Sequence, residues 1–197
     1  MTLWIKICGM TTPQGVAAAL DAKVDAIGFV FASSVRKVTA EKASALALPA
    51  RGRVACAAVT RHPSQAAVDD ILENFKPDVL QTDAADLATL RLPQQLSILP
   101  VYREWDDAMQ LPSRLLFEGQ TSGSGVTCDW AAAARIANRS EVILAGGLNA
   151  ANVASAIAEV RPFGVDVSSG VEECPGIKSP AEIERFVTAA RSASSRS

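Results

Sequence analysis

The 197-residue chain is long enough for one domain with a full hydrophobic core. With 49% hydrophobic and 20% charged residues, it is too apolar to be disordered as a whole. A net charge of −2 gives no electrostatic reason to expect nucleic acid or an anionic membrane as a partner, and no apolar run approaches the ~18 residues that span a bilayer. We therefore expect a cytoplasmic protein that binds neither.

The strand signals come at regular intervals along the chain. Apolar runs typical of strands begin near Leu3, Ala26, Val54, Val79, Leu96, Arg114, Glu141 and Phe163. Most are continuous rather than alternating, which indicates strands that are covered on both faces. The spacing leaves room for a helix after most of the strands.

Capping residues predict where several of these helices begin. Thr12 precedes Pro13, Thr39 and Ser64 each precede a helical stretch, and Ser179-Pro180-Ala181-Glu182 is a capping box. The segments 83–92 and 129–138 carry weaker helical patterns. Residues 192–197 are rich in serine, and we expect them to form a frayed C-terminal tail.

Eight strands alternating with helices allow two α/β architectures. A doubly wound open sheet usually has five or six strands and often a glycine fingerprint after the first, but Cys8-Gly9-Met10-Thr11 stands there instead. Eight units favour a single (β/α)8 TIM barrel over residues 1–191, with short loops because the chain is short for that fold.

The four cysteines and the histidine do not form a metal or disulfide pattern. Cys8, Cys56, Cys128 and Cys174 are far apart with no CxxC pair, so we expect reduced thiols. His62 is the only histidine, and we interpret it as a solvated loop residue. The spacing of the cysteines gives no reason to expect a zinc site.

Two glycine-rich loops are the strongest functional signal. A barrel enzyme builds its site at the carboxyl ends of its strands, and the loops after strands seven and eight commonly bind phosphate. Gly146 and Gly147 follow the seventh strand, and Ser168, Ser169 and Gly170 follow the eighth. These residues predict a phosphate site, although glycines in a single loop can simply make a tight turn.

Four other side chains lie at predicted strand ends. Cys8 offers a thiol that could act as a base, although most free cysteines only pack. Glu118 follows an apolar strand and is either a proton donor or a solvated loop carboxylate. Arg36 either binds a carboxylate of the ligand or is part of a solvated basic face. Asp166 interrupts an apolar strand, where a buried charge needs a partner or a ligand.

The motifs at these positions resemble those of the phosphoribosylanthranilate isomerase family of tryptophan biosynthesis. The resemblance runs in order from Ile5 to about Arg191, and its opening and closing motifs are the most specific. The matching segments are Lys6-Ile7-Cys8-Gly9, Gly28-Phe29-Val30-Phe31, Ser34-Val35-Arg36, Gly123-Ser124-Gly125 with Asp129-Trp130, Ala145-Gly146-Gly147-Leu148-Asn149, and Val165-Asp166-Val167-Ser168-Ser169-Gly170-Val171-Glu172.

The resemblance implies a cofactor-free Amadori rearrangement of N-(5-phosphoribosyl)anthranilate, an aminoaldose, to an aminoketose. It implies that Cys8 is the general base, that Arg36 meets the anthranilate carboxylate and that Asp166 faces the substrate. The glycine and serine loops named above map onto the phosphate-binding loops. The implied partner is one small phosphorylated molecule, and the implied assembly is a monomer or a homodimer.

The chain departs from the family pattern at two places. The family's general acid is usually an aspartate at the end of strand six, where this chain has Glu118, one methylene longer, and the loop before Gly123 is shorter. After strand four the family often has Gln-Leu-His-Gly, where this chain has Val79-Leu80-Gln81-Thr82 and therefore no histidine. Two alternatives are another phosphosugar isomerase or epimerase barrel and a non-catalytic phosphate-binding barrel.

Overall fold

Eight parallel strands close into a barrel in the computed structural model, which describes residues 3–106, 108–119 and 127–195. Each strand pairs with the next, and the last pairs with the first. The predicted (β/α)8 barrel and its eight strands are therefore confirmed. The strands are β1 (Trp4–Cys8), β2 (Ala26–Val30), β3 (Ala55–Val59), β4 (Val79–Asp83), β5 (Ser97–Tyr102), β6 (Arg114–Phe117), β7 (Glu141–Leu144) and β8 (Gly164–Val167).

Helices surround most, but not all, of the barrel. They are α1 (Pro13–Asp21), α2 (Ala40–Ala47), α3 (Gln65–Asp70), α4 (Trp130–Ala137), α5 (Val153–Val160) and α6 (Pro180–Ser194). A π-helical turn, Ile71–Phe75, continues α3, while β4 is followed only by the short 3-10 helix Ala84–Ala88. A small hairpin, β9 (Glu172–Cys174) and β10 (Ile177–Lys178), lies between β8 and α6. Among the described helices, none is long and apolar enough to cross a membrane.

Side-chain caps begin five of these helices immediately after short loops. In each case the capping oxygen accepts a hydrogen bond from the backbone N–H three residues further on, which satisfies one of the free amides at the helix start. The capping residues are Thr12, Thr39, Ser64, Asp129 and Ser179. Four of the five were predicted from the sequence as helix starts, and the fifth confirms the weaker signal at 129–138.

The C-terminal helix is longer than predicted. Residues 192–194, expected in the frayed tail 192–197, form the last turn of α6. Arg191 anchors this end, because its guanidinium donates to the carbonyl of Leu3 and lies 2.9 Å from a carboxylate oxygen of Asp25. These contacts tie the helix to the start of β1, which compensates the weak helical propensity of the serines.

The interior of the barrel is apolar on one side and charged on the other. Between β5 and β7 it is filled by the buried cluster Leu99, Val101, Leu116, Ile143 and Ala145. On the side of β1 and β8 it instead holds Lys6 and Asp166, which are both buried. This division places the polar chemistry of the barrel next to the seam where β8 meets β1.

Gly164 is where β8 packs most closely against β1, and replacing it tests that seam. A Cβ at Gly164 would lie 2.6 Å from the carbonyl oxygen of Trp4 and 3.0 Å from its Cβ. Backbone cannot give way cheaply, so we expect Gly164→Ala to lower the free energy of unfolding by about 1–3 kcal/mol, measured by urea denaturation. Gly119→Ala is the matched control, because its Cβ would meet nothing closer than 3.7 Å. Equal midpoints for the two variants would contradict the account of the seam.

Candidate active site

The predicted site residues gather at the carboxyl ends of the strands, on one mouth of the barrel. Cys8 ends β1, Arg36 follows β2 and Glu118 follows β6, and the two predicted phosphate loops follow β7 and β8. In the strand order, β6 lies on the far side of the barrel from β1. Cys8 and Glu118 therefore reach the mouth from strands that lie three positions apart in the closed barrel. The predicted motif Gly123-Ser124-Gly125 lies outside the described residues.

A buried ion pair lies directly beneath the Cys8 side chain. Lys6 is completely buried, and its Nζ is 2.8 Å from Oδ1 of Asp166, the residue opposite it in the pairing of β1 with β8. Cys8 is two residues beyond Lys6, so both side chains point to the barrel interior. Asp166, predicted to face the substrate, is thus first a partner of Lys6.

The ion pair and the burial act in opposite directions on the thiol. Burial raises the pKa of Cys8, and the positive charge and hydrogen bond of Lys6 act against that rise. Burial has the largest single effect on the pKa of Lys6 and lowers it, but the contributions of Asp166 and Cys8 together outweigh burial and raise that pKa, so the ammonium stays protonated. The thiol of Cys8 therefore sits beside a permanent cation.

Gly28 on β2 makes room for these two polar groups. It lies opposite Cys8 in the pairing of β1 with β2. A Cβ at this position would be 3.0 Å from Sγ of Cys8 and 3.1 Å from Nζ of Lys6. The missing side chain thus lets the sulfur and the ammonium occupy the same part of the interior.

Arg36 is already bound to a carboxylate of the chain. Its Nε and Nη2 donate to the two carboxylate oxygens of Glu172 at 2.7 and 2.8 Å. Nζ of Lys178 lies 2.8 Å from the same carboxylate. Although burial acts the other way, the hydrogen bonds from Arg36 and Lys178 lower the pKa of Glu172, so the cluster is charged at neutral pH.

The Ser168 hydroxyl is used within the protein. It donates to the carbonyl of Cys8 at 3.0 Å, and the Ser168 carbonyl accepts from Nζ of Lys178 at 2.9 Å. Ser168 thereby ties β8 to β1 and to the β9–β10 hairpin. The sequence predicts it as a phosphate ligand, but the structure commits its hydroxyl to β1.

The other residues of the two glycine loops keep their amides available. Gly146 and Gly147 have φ of +89° and +63°, a left-handed backbone that glycine adopts without strain. A side chain at Gly170 would collide with the carbonyl oxygen of Leu148, so the two loops touch. The amides of Gly146, Gly147, Ser169 and Gly170 donate to no part of the chain that the structure describes. Such free N–H groups suit a phosphate.

Glu118 belongs to a second charged cluster on the opposite side of the mouth. Nη1 of Arg103 lies 2.8 Å from Oε1 of Glu118, and Nη2 donates to Oδ1 of Asp83 at 2.8 Å. Arg103 follows β5 and Asp83 ends β4, so three consecutive strands contribute to the cluster. Arg103 therefore fixes the carboxylate that was predicted as the proton donor.

His62 lies at the edge of this second cluster. It is exposed, with 65% of its side chain accessible, as expected for a loop residue. It is nevertheless tied down, because Nδ1 is 2.8 Å from Oδ1 of Asp86 and its backbone N–H donates to the same carboxylate. His62 is therefore a solvated loop residue, as predicted, and Asp86 fixes the position of its ring and backbone.

One group in the described part of the chain has a spacing that a metal ion can use. The ligand atoms of His62, Asp83 and Asp86 lie within 4.8 Å of one another. However, Asp83 is already bound by Arg103 and lies 3.6 Å from Nε of Arg61. The two guanidinium groups supply the positive charge that a cation would bring, so we interpret the group as an ion-pair network.

Several of these residues had no assigned role before the structure was known. Four residues without a predicted role complete the clusters, because the fold brings them next to their partners. They are Lys6, Glu172, Lys178 and Arg103. The one available signal was the placement of Lys6 and Asp166 as charges inside apolar strands. Together, the clusters and the two glycine loops offer a thiol, a carboxyl group, a guanidinium and a set of free amides at one mouth, which suits acid–base chemistry on a molecule that carries both a phosphate and a carboxylate.

Comparison with known proteins points to the same chemistry. Residues 5–189 match the family model of N-(5'-phosphoribosyl)anthranilate (PRA) isomerase. The N-(5'-phosphoribosyl)anthranilate isomerase of Mesorhizobium japonicum is 37% identical over 98% of this chain and 97% of that protein.

Solved structures agree with this match. The phosphoribosyl anthranilate isomerase of Thermus thermophilus is similar with a TM-score of 0.82 and 27% identity, over 96% of this chain and 99% of that one. A phosphoribosyl anthranilate isomerase in complex with reduced 1-(o-carboxyphenylamino)-1-deoxyribulose 5-phosphate is similar with a TM-score of 0.77 and 26% identity, over 96% and 99% of the two chains. With the family motifs brought together at one mouth of a barrel, these matches show that the chain belongs to the N-(5'-phosphoribosyl)anthranilate isomerase family.

Proposed function

We propose that this chain converts N-(5-phosphoribosyl)anthranilate into 1-(2-carboxyphenylamino)-1-deoxyribulose 5-phosphate, with Cys8 as general base and Glu118 as general acid. The observation that carries the proposal is the placement of these two groups on opposite sides of one mouth, beside the free amides of the two glycine loops. The complex of the solved relative supports the substrate class, because its ligand carries an aromatic carboxylate and a phosphate.

The reaction is an isomerisation, so the substrate gains and loses no atoms overall, and its first two proton transfers are assigned to Glu118 and Cys8. Glu118 protonates the ring oxygen of the ribose, and the C1′–O bond breaks to give a Schiff base with the anthranilate nitrogen. Cys8 then removes the proton from C2′ to give an enolamine. The enolamine becomes the ketone when C1′ gains a proton and the C2′ hydroxyl loses one. Each positioned group of this kind contributes about 10²–10⁴ to the rate.

The charged ends of the substrate determine how it lies in the mouth. The phosphate binds the amides of Gly146, Gly147, Ser169 and Gly170. The anthranilate carboxylate binds Arg36 through Nη1, since Glu172 holds Nε and Nη2. The ribose then lies between the two anchors, within reach of Cys8 and on the side of the mouth where Asp166 lies.

The Arg103 contact has a consequence for proton donation. A guanidinium favours the ionised form of a carboxylate, so Glu118 must bind its proton before it can donate it. Arg103 is shared with Asp83, which already neutralises part of its charge. Arg103 therefore fixes the orientation of the Glu118 carboxyl group. Because Asp83 shares the guanidinium, Arg103 stabilises the ionised form of Glu118 less than it would in a simple pair.

The state of the thiols agrees with a reducing compartment. All four cysteines are free, and three of them are buried. We propose the cytoplasm as the location and one small phosphorylated molecule as the partner, with the chain acting as a monomer or homodimer.

Turnover of freshly prepared N-(5-phosphoribosyl)anthranilate, followed as loss of its fluorescence, tests the function directly. The enzyme should remove the signal at a rate that is proportional to its concentration, without added metal or cofactor. A rate equal to that of buffer would overturn the proposal in favour of a barrel that only binds phosphate.

Replacing Cys8 by alanine tests the base. Because a proton-transfer group is lost, we expect kcat to fall by about 10²–10⁴ with little change in KM, measured by steady-state kinetics. Cys174→Ser is the matched control, since Cys174 is exposed and should leave kcat unchanged. Near-normal turnover by Cys8→Ala would reject the assignment.

Two substitutions at Glu118 separate its proton from its geometry. Glu118→Gln keeps the shape but cannot donate, so it should lose most activity, and its pH profile should lack the limb of the acid. Glu118→Asp shortens the reach to Arg103 and should lower kcat by tenfold or more, because misplacement by ~1 Å can cost up to 10². An active Gln variant with an unaltered pH profile would show that another group donates the proton.

Replacing Arg36 by alanine tests the carboxylate contact. A charge-assisted pair contributes roughly 1.5–3 kcal/mol, so KM should rise at least tenfold while kcat changes less. The neighbouring exposed Lys37→Ala is the control and should keep the original KM. A fall in kcat with unchanged KM would show that Arg36 does not bind the substrate carboxylate.

A further inference from the structure

We infer that Lys6 is a positioning residue for the reaction, whose buried ammonium, held in place by Asp166, stabilises the thiolate of Cys8. The role rests on the proposed function, since it matters only if Cys8 is the base. Lys6 lies below the thiol inside the barrel and does not line the mouth, so it acts through Cys8 and not on the substrate.

The hydrogen-bonding capacity of the ammonium is the first observation. Lys6 is 0% exposed, so water cannot satisfy its three donors. Oδ1 of Asp166 accepts one of them at 2.8 Å. Another donor is left near the sulfur of Cys8, which shares the space beside Gly28 with the ammonium. A thiolate satisfies that donor far better than a neutral thiol, because it accepts with a full negative charge.

The backbone of the neighbouring strand is the second, independent observation. At Gly28 the sulfur and the ammonium lie 3.0 and 3.1 Å from the point where a Cβ would be. Any other residue would push one of them away. The space is therefore kept free for a contact between these two groups, in a barrel whose other wall is packed with aliphatic side chains.

Four charged groups face Cys8, and Lys6 differs from the other cations. They are Lys6 on β1, Asp166 on β8, Lys178 on β10 and Arg36 after β2. Lys178 and Arg36 are both bound to the carboxylate of Glu172, and neither donates a hydrogen bond to the sulfur. Lys6 is the cation that shares the space beside Gly28 with Sγ of Cys8.

The two members of the ion pair have opposite effects on the thiol. The charge of Lys6 lowers the pKa of Cys8, whereas that of Asp166 raises it. Removing Lys6 should therefore make Cys8 harder to ionise, and removing the charge of Asp166 should make it easier. Loss of packing alone would not give shifts of opposite sign.

The experiment measures the ionisation of Cys8 without turnover. Alkylation by iodoacetamide, followed by mass spectrometry of the Cys8 peptide as a function of pH, gives the midpoint at which the thiolate forms. The full chain carries Cys174→Ser to remove the exposed thiol. Burial raises the pKa of Cys56 and of Cys128 to about 11, so both react more slowly near neutral pH.

Lys6→Met should raise the Cys8 midpoint by about one pH unit or more, and Asp166→Asn should lower it. Lys37→Met, a matched change at an exposed lysine, should leave it unchanged. If Lys6→Met does not fold, the double variant Lys6→Met/Asp166→Asn removes both charges, and its midpoint should lie above that of Asp166→Asn. An unchanged midpoint in Lys6→Met, or equal midpoints in the double and single variants, would overturn the role of Lys6.

Kinetic measurements distinguish failure of the proposed role of Lys6 from failure of the proposed function. The acid limb of kcat/KM should move to higher pH in Lys6→Met, and raising the pH should restore activity. If Cys8→Ala is fully active, the proposed function fails, whatever the midpoints show. If Cys8→Ala is inactive and the midpoint does not depend on Lys6, only the role of Lys6 fails.

Discussion

The pairing of β8 with β1 is the contact on which the rest of the molecule depends. It closes the barrel, and it requires glycine at position 164, where β8 comes closest to the backbone of β1. Two residues further along the same pairing, Lys6 faces Asp166 across the seam. The closure of the fold thus creates a buried ion pair, and the first proposed catalytic residue, Cys8, follows it on the same strand face.

The mouth above this seam is bordered by two clusters of alternating charge. On one side, Glu172 lies between Arg36 and Lys178, and on the other, Arg103 lies between Glu118 and Asp83. In each cluster a side chain proposed to meet the substrate is held by a charge from a different strand or loop. The functional groups therefore keep their directions when the substrate is absent, which lowers the cost of arranging them during the reaction.

Local patterns in the sequence predict local structure, and the charged clusters show where that stops. Apolar runs and caps such as Thr12 and Ser179 predict strands and helix starts because the interactions involved lie within a few residues. Arg36 and Glu172 are separated by 136 residues, and Lys6 and Asp166 by 160, so no local pattern connects them. The absence of an α-helix after β4 is likewise a tertiary effect, since the 3-10 turn there is held by Asp86, which binds Thr82 and His62.

The buried ion pair is hard to explain by stability alone. Two charges inside a barrel lose their hydration, and replacing such a pair with well-packed apolar residues is often neutral or stabilising. The opposite side of this barrel shows that the alternative is available, since Leu99, Leu116 and Ile143 fill it without any charge. What apolar residues cannot supply is a cation next to Cys8, whose burial otherwise opposes formation of the thiolate. We therefore attribute the presence of the Lys6–Asp166 pair, despite its desolvation cost, to its effect on the ionisation of Cys8.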